Sequence, residues 1–239
     1  MSFCDLHVHS LRSTCGMHTL LEIVSIMRSK NHRAFAITDH SPIHNTPKPY
    51  FSVLLRRLPK IIEGIRVIKG VEASIIGADG ETDLPEIDGY NFEIVLAGLH
   101  NYGLFEKDTN IETNTLAMVN AMKKYPEIKI LTHPTFSLLP VDIEKITDTA
   151  LETGTALEIN NAYLLNRKSD DERLSELISL VKEKGNMIAV NSDGHIFNEI
   201  GEFGRAVEFL KRFGDIGSFN IVNRTVESTM EFLGIEDDI

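Results

Sequence analysis

Cysteine is scarce in this sequence, which contains only two, Cys4 and Cys15. So small a number argues against a disulfide framework, and both thiols are expected to be reduced in the cytosol. Long apolar runs are missing too, since none approaches the roughly 20 residues that span a bilayer. The first residues lack the basic and apolar regions of a secretory signal. A cytoplasmic location without a membrane partner is therefore expected.

Positive charge is also in short supply, with 24 Lys and Arg residues against 35 Asp and Glu and a formal net charge of -11. Basic residues occur only in short groups, such as residues 56–57 and 123–124. Proteins that grip long nucleic acids by their phosphates usually present a broad basic face, so no long nucleic acid is expected as a partner. A local cationic site is still compatible with this composition.

What the sequence does contain is a regular alternation of short apolar runs and helical patterns. No linker or repeat divides the 239 residues, so a single domain over residues 1–239 is predicted. A short strand and a closing helix are predicted within residues 219–233. The order predicts an α/β fold with a parallel sheet, either open or closed into a barrel. The main strands are predicted at residues 4–8, 34–38, 67–73, 94–99, 128–132, 156–160 and 187–191, and the main helices at 19–30, 112–124, 141–152, 170–184 and 202–213.

Titratable side chains stand at six of the predicted strand ends. Because the carboxyl ends of parallel strands meet on one face, these side chains are expected to converge. On a regular strand, side chains two apart point the same way, so Asp5, His7 and His9 are predicted to share one face. The residues at the six strand ends are His7 with His9, His40, Glu72, His100, His133, and Asp193 with His195.

Imidazole and carboxylate groups of this kind are the ligands of zinc, manganese and iron. A single histidine after a strand is often only a hydrogen-bonded loop residue, but six strand ends together favour a metal site. Eight candidate ligands are too many for one ion and suffice for two, or for three when a carboxylate bridges. Asp5 and Asp39 are predicted to orient ligand imidazoles. His32 and His44 are interpreted as surface or loop residues.

Six motifs surround these candidates: Asp5-Leu6-His7-Val8-His9, Ile37-Thr38-Asp39-His40, Gly70-Val71-Glu72, Gly98-Leu99-His100, Thr132-His133-Pro134 and Ser192-Asp193-Gly194-His195. In order and spacing they resemble the motifs of the PHP family, named for polymerase and histidinol phosphatase, along nearly the whole chain. Residues 113–115, 157–161, 166–168 and 201–203 further resemble the YcdX-type phosphatase branch of that family.

The resemblance implies a distorted (β/α)7 barrel with a metal site at the carboxyl ends of the strands. A third ion is implied at His40 and His195 with one more ligand. Where the family has a histidine for this purpose, the chain has Cys15, with His18 three residues further on. Cys15, His18 or water is therefore expected to complete the third site. The first two ions are implied to share Glu72, the first with His7, His9 and Asp193 and the second with His100 and His133.

The function predicted on this basis is phosphomonoester hydrolysis by a metal-bound hydroxide. Eight ligands carry about -2 and three divalent ions roughly +6, and the resulting positive cavity suits a phosphate dianion. Asp193, His195 and Glu72 are expected to be catalytic, and the resemblance implies that Arg167 contacts the substrate phosphate. The expected cofactors are two or three divalent ions of zinc, manganese or iron. The expected partner is a small phosphorylated substrate, and a homo-oligomer is left open.

Three alternatives stay open at this stage. One is a phosphodiesterase or 3′ exonuclease, because polymerase-associated members of the family suggest such activity. Another is an amide or lactone hydrolase, although that class often bridges its metals with a carboxylated lysine and Glu72 takes that role here. The third is a non-catalytic metal-binding module, against which the near-complete ligand set argues. Substrate choice is expected to depend on loops at residues 41–50, 74–88 and 102–110.

Overall fold

The computed structural model describes residues 3–84, 92–101, 105 and 110–236. The strands within these ranges are β1 (Ala34–Ile37), β2 (Ile61–Ile62), β3 (Ile65–Ser74), β4 (Ile94–Gly98), β5 (Ile128–Leu131), β6 (Ala156–Asn160), β7 (Met187–Asn191) and β8 (Asn220–Ile221). Seven of the described strands pair in parallel in the order β1-β3-β4-β5-β6-β7-β8, and the sheet they form is curled. The short β2 pairs antiparallel with the start of β3.

The helices connect these strands and have ends that the local sequence explains. Thr19 and Glu22 form a capping box at the start of the first helix. Gly154 and Gly185 end two others with φ of 70° and 77°, a left-handed conformation that glycine adopts without steric cost. The helices are α1 (Leu20–Ser29), α2 (Ile111–Lys124), α3 (Ile143–Thr153), α4 (Asn161–Leu165), α5 (Asp171–Lys184), α6 (Gly204–Leu210) and α7 (Val226–Leu233), with 3-10 turns at Leu11–Ser13, Pro42–His44, Lys211–Phe213 and Ile216–Ser218 and a π-helical turn at Tyr50–Leu55.

The first predicted strand, residues 4–8, is an extended segment without the regular pairing of a strand. On one side the amide of Ala36 in β1 donates to the carbonyl of Asp5 at 2.7 Å. On the other side the amide of His9 donates to the carbonyl of Gly194, just beyond β7, at 3.0 Å. The segment therefore joins the two sides of the curled sheet and completes the distorted (β/α)7 barrel that the family resemblance predicts.

Apolar side chains pack on both faces of the sheet. The larger cluster includes Phe35 and Val67 and packs against the helices. The smaller includes Ala36 and Ile68, which point to the opposite face of the same strands. Ile68 shares its face with Glu72, four residues further along β3, so the smaller cluster lies beneath the candidate ligands. Several of its members are alanines, which leave room inside a narrow barrel, and α7 adds apolar side chains to it.

Most predicted elements are present with ends shifted by a residue or two. The helix predicted at residues 202–213 is shorter, because α6 ends at Leu210 and a 3-10 turn follows. The short α4 was not predicted. Parts of two predicted substrate loops, at residues 85–88, 102–104 and 106–109, lie outside the described residues. None of the described helices combines the length and apolarity needed to cross a membrane.

Candidate metal centre

Four buried ligand atoms from three parts of the barrel converge on one point. The Nε2 atom of His7 lies 3.0 Å from Nε2 of His9, 3.3 Å from Oε2 of Glu72 and 3.5 Å from Oδ1 of Asp193. The Nε2 atom of His9 lies 3.4 Å and 3.3 Å from the same two oxygens. The two imidazole nitrogens therefore lie close to each other and to both carboxylate oxygens.

These spacings fit a bound metal ion. Two donors that each lie about 2.0 Å from a zinc ion at a tetrahedral angle are about 3.3 Å apart, and the five distances given above lie between 3.0 and 3.5 Å. Burying carboxylates and imidazoles this close together costs folding free energy unless a cation lies between them. Oε2 of Glu72 lies 2.9 Å from Nδ1 of His40, and among the described residues it has no partner with hydrogen-bond geometry.

Glu72 reaches a second group of ligands with its other oxygen. Oε1 lies 3.1 Å from Nε2 of His133 and 3.3 Å from Nε2 of His100, and it accepts a hydrogen bond from the hydroxyl of Thr132 at 3.0 Å. Glu72 can occupy this central place because β3 runs between β1 and β4 in the sheet. A single carboxylate thus faces two sets of histidines, which is the geometry of a bridging ligand.

A third group forms where the loop after the first motif folds over the mouth of the barrel. The amide of Met17 donates to the carbonyl of His195 at 2.9 Å and ties this loop to the end of β7. Gly16 passes so close to Ser10 that a Cβ would lie 2.3 Å from its carbonyl oxygen. The loop conformation carries Cys15 to the histidines. One ligand atom from each member of this group lies within 4.8 Å of all the others, the members being His9, Cys15, His40 and His195.

His18, the other residue predicted for this position, lies elsewhere. It belongs to none of the groups of potential metal ligands found in the described part of the chain. Its ring faces Phe197 edge-on with a centroid distance of 6.4 Å. Thr19, its neighbour, begins α1 as a capping residue, and this capping role fixes the backbone there. The geometry therefore favours Cys15 over His18 as the additional ligand.

Glu158 links the first two groups, although it was not among the predicted site residues. Its Oε1 lies 2.7 Å from Nδ1 of His7 and accepts from the side-chain amide of Asn191 at 2.9 Å. Its Oε2 accepts from the backbone amide of His133 and from the side-chain amide of Asn160, both at 2.9 Å. With Nδ1 bound to Glu158, the lone pair of His7 is directed through Nε2 towards the metal position.

The buried charges of the centre shift one another's pKa. Burial lowers the pKa of His7, but the carboxylates of Glu158, Glu72 and Asp193 outweigh it and raise that pKa well above its usual value. Burial raises the pKa of Glu72, but the surrounding histidines, among which His7 has the largest effect, hold this pKa well below the usual range. The pKa of His9 is lowered well below its usual value by burial and by neighbouring imidazoles. In the metal-free protein, protons on some histidines therefore balance the carboxylates, and metal ions compete with these protons.

Cys15 carries a thiol that ionises easily. Burial opposes its ionisation, but hydrogen bonds with His195 and His40 outweigh that effect and lower the pKa of the thiol to about 7. Burial in turn lowers the pKa of His40, while Glu72 and Cys15 raise it to about 10. The pKa of His195 is raised to about 9, mainly through Cys15 and Asp193 acting against burial. The thiolate is the form of cysteine that binds metals, and this environment favours it.

The prediction that Asp5 and Asp39 orient ligand imidazoles is wrong. Asp5 accepts from the amides of Ser192 at 3.1 Å and Gly201 at 3.0 Å. Asp39 accepts from the amide of Ser10 at 2.6 Å and from its hydroxyl at 2.7 Å. Of the three residues predicted to share one face, His7 and His9 converge and Asp5 does not, because the segment is not a regular strand. Both carboxylates hold the backbone that carries the ligands, whereas Glu158 contacts a ligand ring.

Two histidines interpreted as surface or loop residues also differ from that interpretation. His32 is buried, with Nδ1 3.2 Å from the carbonyl of Phe3 and Nε2 3.3 Å from that of Gly201. His44 lies on a turn, as expected, but its ring centroid is 4.6 Å from that of His40 and 4.8 Å from that of His100. His44 is therefore part of the centre.

A cavity of about 410 Å³ opens above the ligands. Asn166 and Lys168 line it, and the ammonium of Lys168 lies 5.4 Å from the ring centroid of Tyr163, a further lining residue. Arg167, predicted to contact the phosphate, lines a different cavity together with Arg205. Its backbone has a φ of 53°, and this left-handed turn places Arg167 and Lys168 in different cavities. The structure thus brings Lys168 to the centre in place of Arg167.

The chain is similar to several known proteins. A family model described as the PHP domain matches residues 5–196. A protein of Shewanella halifaxensis (strain HAW-EB4) named probable phosphatase is 34% identical over 231 residues, covering 96% of this chain and 91% of the relative. Another from Thermoanaerobacter sp. (strain X514), also named probable phosphatase, is 35% identical over 231 residues, covering 96% and 93%.

A solved structure shares the fold. It is the histidinol phosphate phosphatase of Lactococcus lactis subsp. lactis Il1403, complexed with zinc, L-histidinol and phosphate. The two structures align with a TM-score of 0.68 at 18% sequence identity, covering 92% of this chain and 95% of the other. At this identity the likeness shows the fold alone, and it confirms the distorted barrel that the family resemblance implies.

Proposed function

The chain belongs to the PHP family, and from this premise we propose that it is a metal-dependent phosphatase acting on a small phosphomonoester. The observation that carries the proposal is the position of Glu72, whose two oxygens face separate groups of buried histidines. A carboxylate placed in this way would hold two divalent ions close together. When bound, such ions supply an activated water as nucleophile and neutralise the charge of the transferring phosphoryl group.

The ligand assignments follow the three groups of side chains. Imidazole nitrogen, carboxylate oxygen and thiolate sulfur are all zinc ligands. The similar Lactococcus lactis enzyme, solved with zinc, supports zinc as one suitable metal, while manganese and iron also accept imidazole and carboxylate ligands. Under this proposal the first ion is held by His7, His9, Glu72 and Asp193, the second by Glu72, His100 and His133, and the third by Cys15, His40 and His195.

The other residues of the cavity give it the features of a phosphate site. Lys168 supplies a positive charge at its wall, and Asn166 supplies an amide that can donate to a phosphate oxygen. The side chain of Asn160 donates to Oδ2 of Asp193 at 3.0 Å and so fixes the orientation of that carboxylate. Tyr163 stacks on His133 with an interplanar angle of 9° and a centroid distance of 4.7 Å, which restrains the ligand ring.

The size and charge of the site favour a monoester over a nucleic acid. A cavity of about 410 Å³ is in the range of sites for small metabolites. The formal net charge of -11 opposes the approach of a long polyanion. A diester could still enter, so a phosphodiesterase is the alternative outcome that the test must separate.

The test combines metal analysis with turnover of p-nitrophenyl phosphate and bis(p-nitrophenyl) phosphate. Chelation should abolish monoester turnover, and zinc or manganese should restore it, because the ions supply the activated water and neutralise the charge of the transferring phosphoryl group. Asp193→Asn should lower both metal content and rate, by about 100-fold or more in rate. Asp148→Asn removes a charge from the exposed face of α3 and serves as the matched control.

Full turnover after verified removal of the metals would overturn the proposal. Faster turnover of the diester than of the monoester would replace it with a phosphodiesterase. A protein that binds metals but turns over neither ester, nor any member of a phosphorylated-metabolite panel, would be a binding module.

A further inference from the structure

One histidine next to the centre, His44, is not used by the three proposed ion sites. The ring of His44 lies beside those of His40 and His100, with interplanar angles of 34° and 73°. One ring nitrogen from each of the three histidines lies within 4.8 Å of the other two. Three imidazoles at this spacing are within a small side-chain adjustment of a shared metal ion.

The turn Pro42–His44 that carries this histidine is fixed at several points. The amide of Ser41 donates to the carbonyl of Glu72 at 2.9 Å and attaches the start of the turn to β3. The amide of Ile43 donates to Oδ2 of Asp83 at 3.3 Å. The carbonyl of His44 itself accepts from the hydroxyl of Thr14 at 3.4 Å. The position of His44 beside the centre is therefore built into the fold.

We propose that His44, together with His40 and His100, binds a divalent transition-metal ion at the rim of the centre. The inference rests on the proposed metal centre, because two of these three ligands also belong to it. The donor set contains no carboxylate, so it suits zinc, nickel or copper and is a poor site for magnesium or calcium. Sharing His40 and His100 makes this ion compete with the others, and we expect it to bind more weakly than they do.

The competition has a functional consequence. An ion at the rim would withdraw His40 from the Cys15 group or His100 from the Glu72 group. Excess zinc is then expected to inhibit turnover, and the inhibition should depend on His44. Ring packing alone would produce no such dependence, since a phenyl ring would pack equally well.

The test is titration of the metal-loaded protein with further zinc or nickel, followed by calorimetry and by elemental analysis after gel filtration. His44→Phe keeps an aromatic ring beside His40 and His100 but removes the nitrogen. We expect this substitution to lower the affinity for the most weakly bound ion by about tenfold or more and to relieve inhibition by excess zinc. His18→Phe makes the same change at a histidine outside the cluster and should match the wild type.

The outcomes separate this inference from the proposed function. Equal zinc and nickel binding by His44→Phe and the wild type would overturn the inference while leaving the phosphatase in place. If His44→Ala lost metal and melted at a lower temperature while His44→Phe behaved as the wild type, His44 would be a packing residue, and the inference would again fail. A wild-type protein that binds no ions at all would instead overturn the proposed function.

Discussion

The carboxylate of Glu158 lies 2.7 Å from Nδ1 of His7, and both side chains are buried. This contact leaves Nε2 of His7 as the atom that faces Glu72 and Asp193. The same carboxylate accepts from the backbone amide of His133, whose φ of 33° is unusual for a residue other than glycine. Glu158 therefore positions one ligand in each of the first two groups without itself joining the ligands.

Replacing Glu158 with glutamine should weaken metal binding by about 10- to 100-fold, as loss of a partner that orients metal ligands typically does. Four groups donate to the carboxylate of Glu158, two to each oxygen. In glutamine one of these oxygens becomes an NH2 group, which cannot accept, so two of the four contacts are lost whichever way the amide is turned. The measurement is the zinc dissociation constant by competition with a chelator of known affinity.

Glu152→Gln is the control for Glu158→Gln, because it removes the same charge from an exposed position on α3. Its zinc affinity should equal that of the wild type. If both variants retained full affinity, the contact between Glu158 and His7 would have no part in holding the metal.

Lys168 and Arg167 give a second prediction, since adjacent cations line different cavities. Lys168→Ala should raise KM for a phosphomonoester by about 10-fold or more, the usual effect of losing one charge-assisted hydrogen bond. Arg167→Ala should change KM by less than about twofold. Metal content should be unchanged in both. If Arg167→Ala raised KM more than Lys168→Ala did, the phosphate would be bound by Arg167, as the family resemblance implies.

The third prediction concerns pH in the metal-free protein. The pKa of His40 is raised to about 10 and that of His195 to about 9, whereas histidine in the unfolded chain has a pKa near 6.5. Between about pH 6.5 and 9 these two groups hold protons in the folded state that the unfolded state has released. Ionisation of Cys15, with its pKa of about 7, offsets only one of them. The folded state therefore binds more protons, and its stability falls as pH rises.

This fall is measurable as a decrease in Tm of the metal-free protein between pH 7 and pH 9. The metal-loaded protein should change much less, because its ligands are already deprotonated. A metal-free Tm that rises over this interval would contradict the proposed proton balance.

How much of the centre could be predicted depends on where each residue lies relative to a strand end. His100 and His133 follow the short buried strands β4 and β5, so the apolar pattern of the sequence locates them. Glu158 lies inside β6 between Leu157 and Ile159, where it is hidden in an ordinary buried strand. Besides the resemblance of residues 157–161 to the YcdX-type branch, the available signal was energetic, because a carboxylate in a buried strand needs partners to offset its loss of water.

Loop geometry explains the other differences. His44 reaches the centre because the turn is anchored to Glu72 and Asp83, contacts that no periodic pattern shows. Arg167 and Lys168 separate because Arg167 adopts a left-handed conformation that sequence rarely reveals outside glycine. The barrel itself was predicted only as one of two α/β arrangements from periodicity, and the family resemblance chose between them.

The fourth prediction is that Cys15 binds the third ion as a thiolate. The loop conformation places it with His9, His40 and His195, and its pKa of about 7 makes the thiolate available at neutral pH. A thiolate ligand favours zinc over manganese and makes the site sensitive to oxidation. The cobalt-substituted protein should therefore show a sulfur-to-metal charge-transfer band in the near ultraviolet.

Cys15→Ser should abolish this band, lower the zinc content by about one ion per chain, and leave the protein resistant to inactivation by peroxide. His18→Ala should keep the band and the metal content, because His18 lies outside the described ligand groups. Cys4 is a suitable internal control, since burial raises the pKa of its thiol to about 12 and keeps it protonated. A band that survives Cys15→Ser, or three zinc ions retained in both variants, would exclude Cys15 as a ligand. Loss of the third ion in His18→Ala alone would instead give that position to the histidine, which would require the loop at residues 10–18 to rearrange when the metal binds.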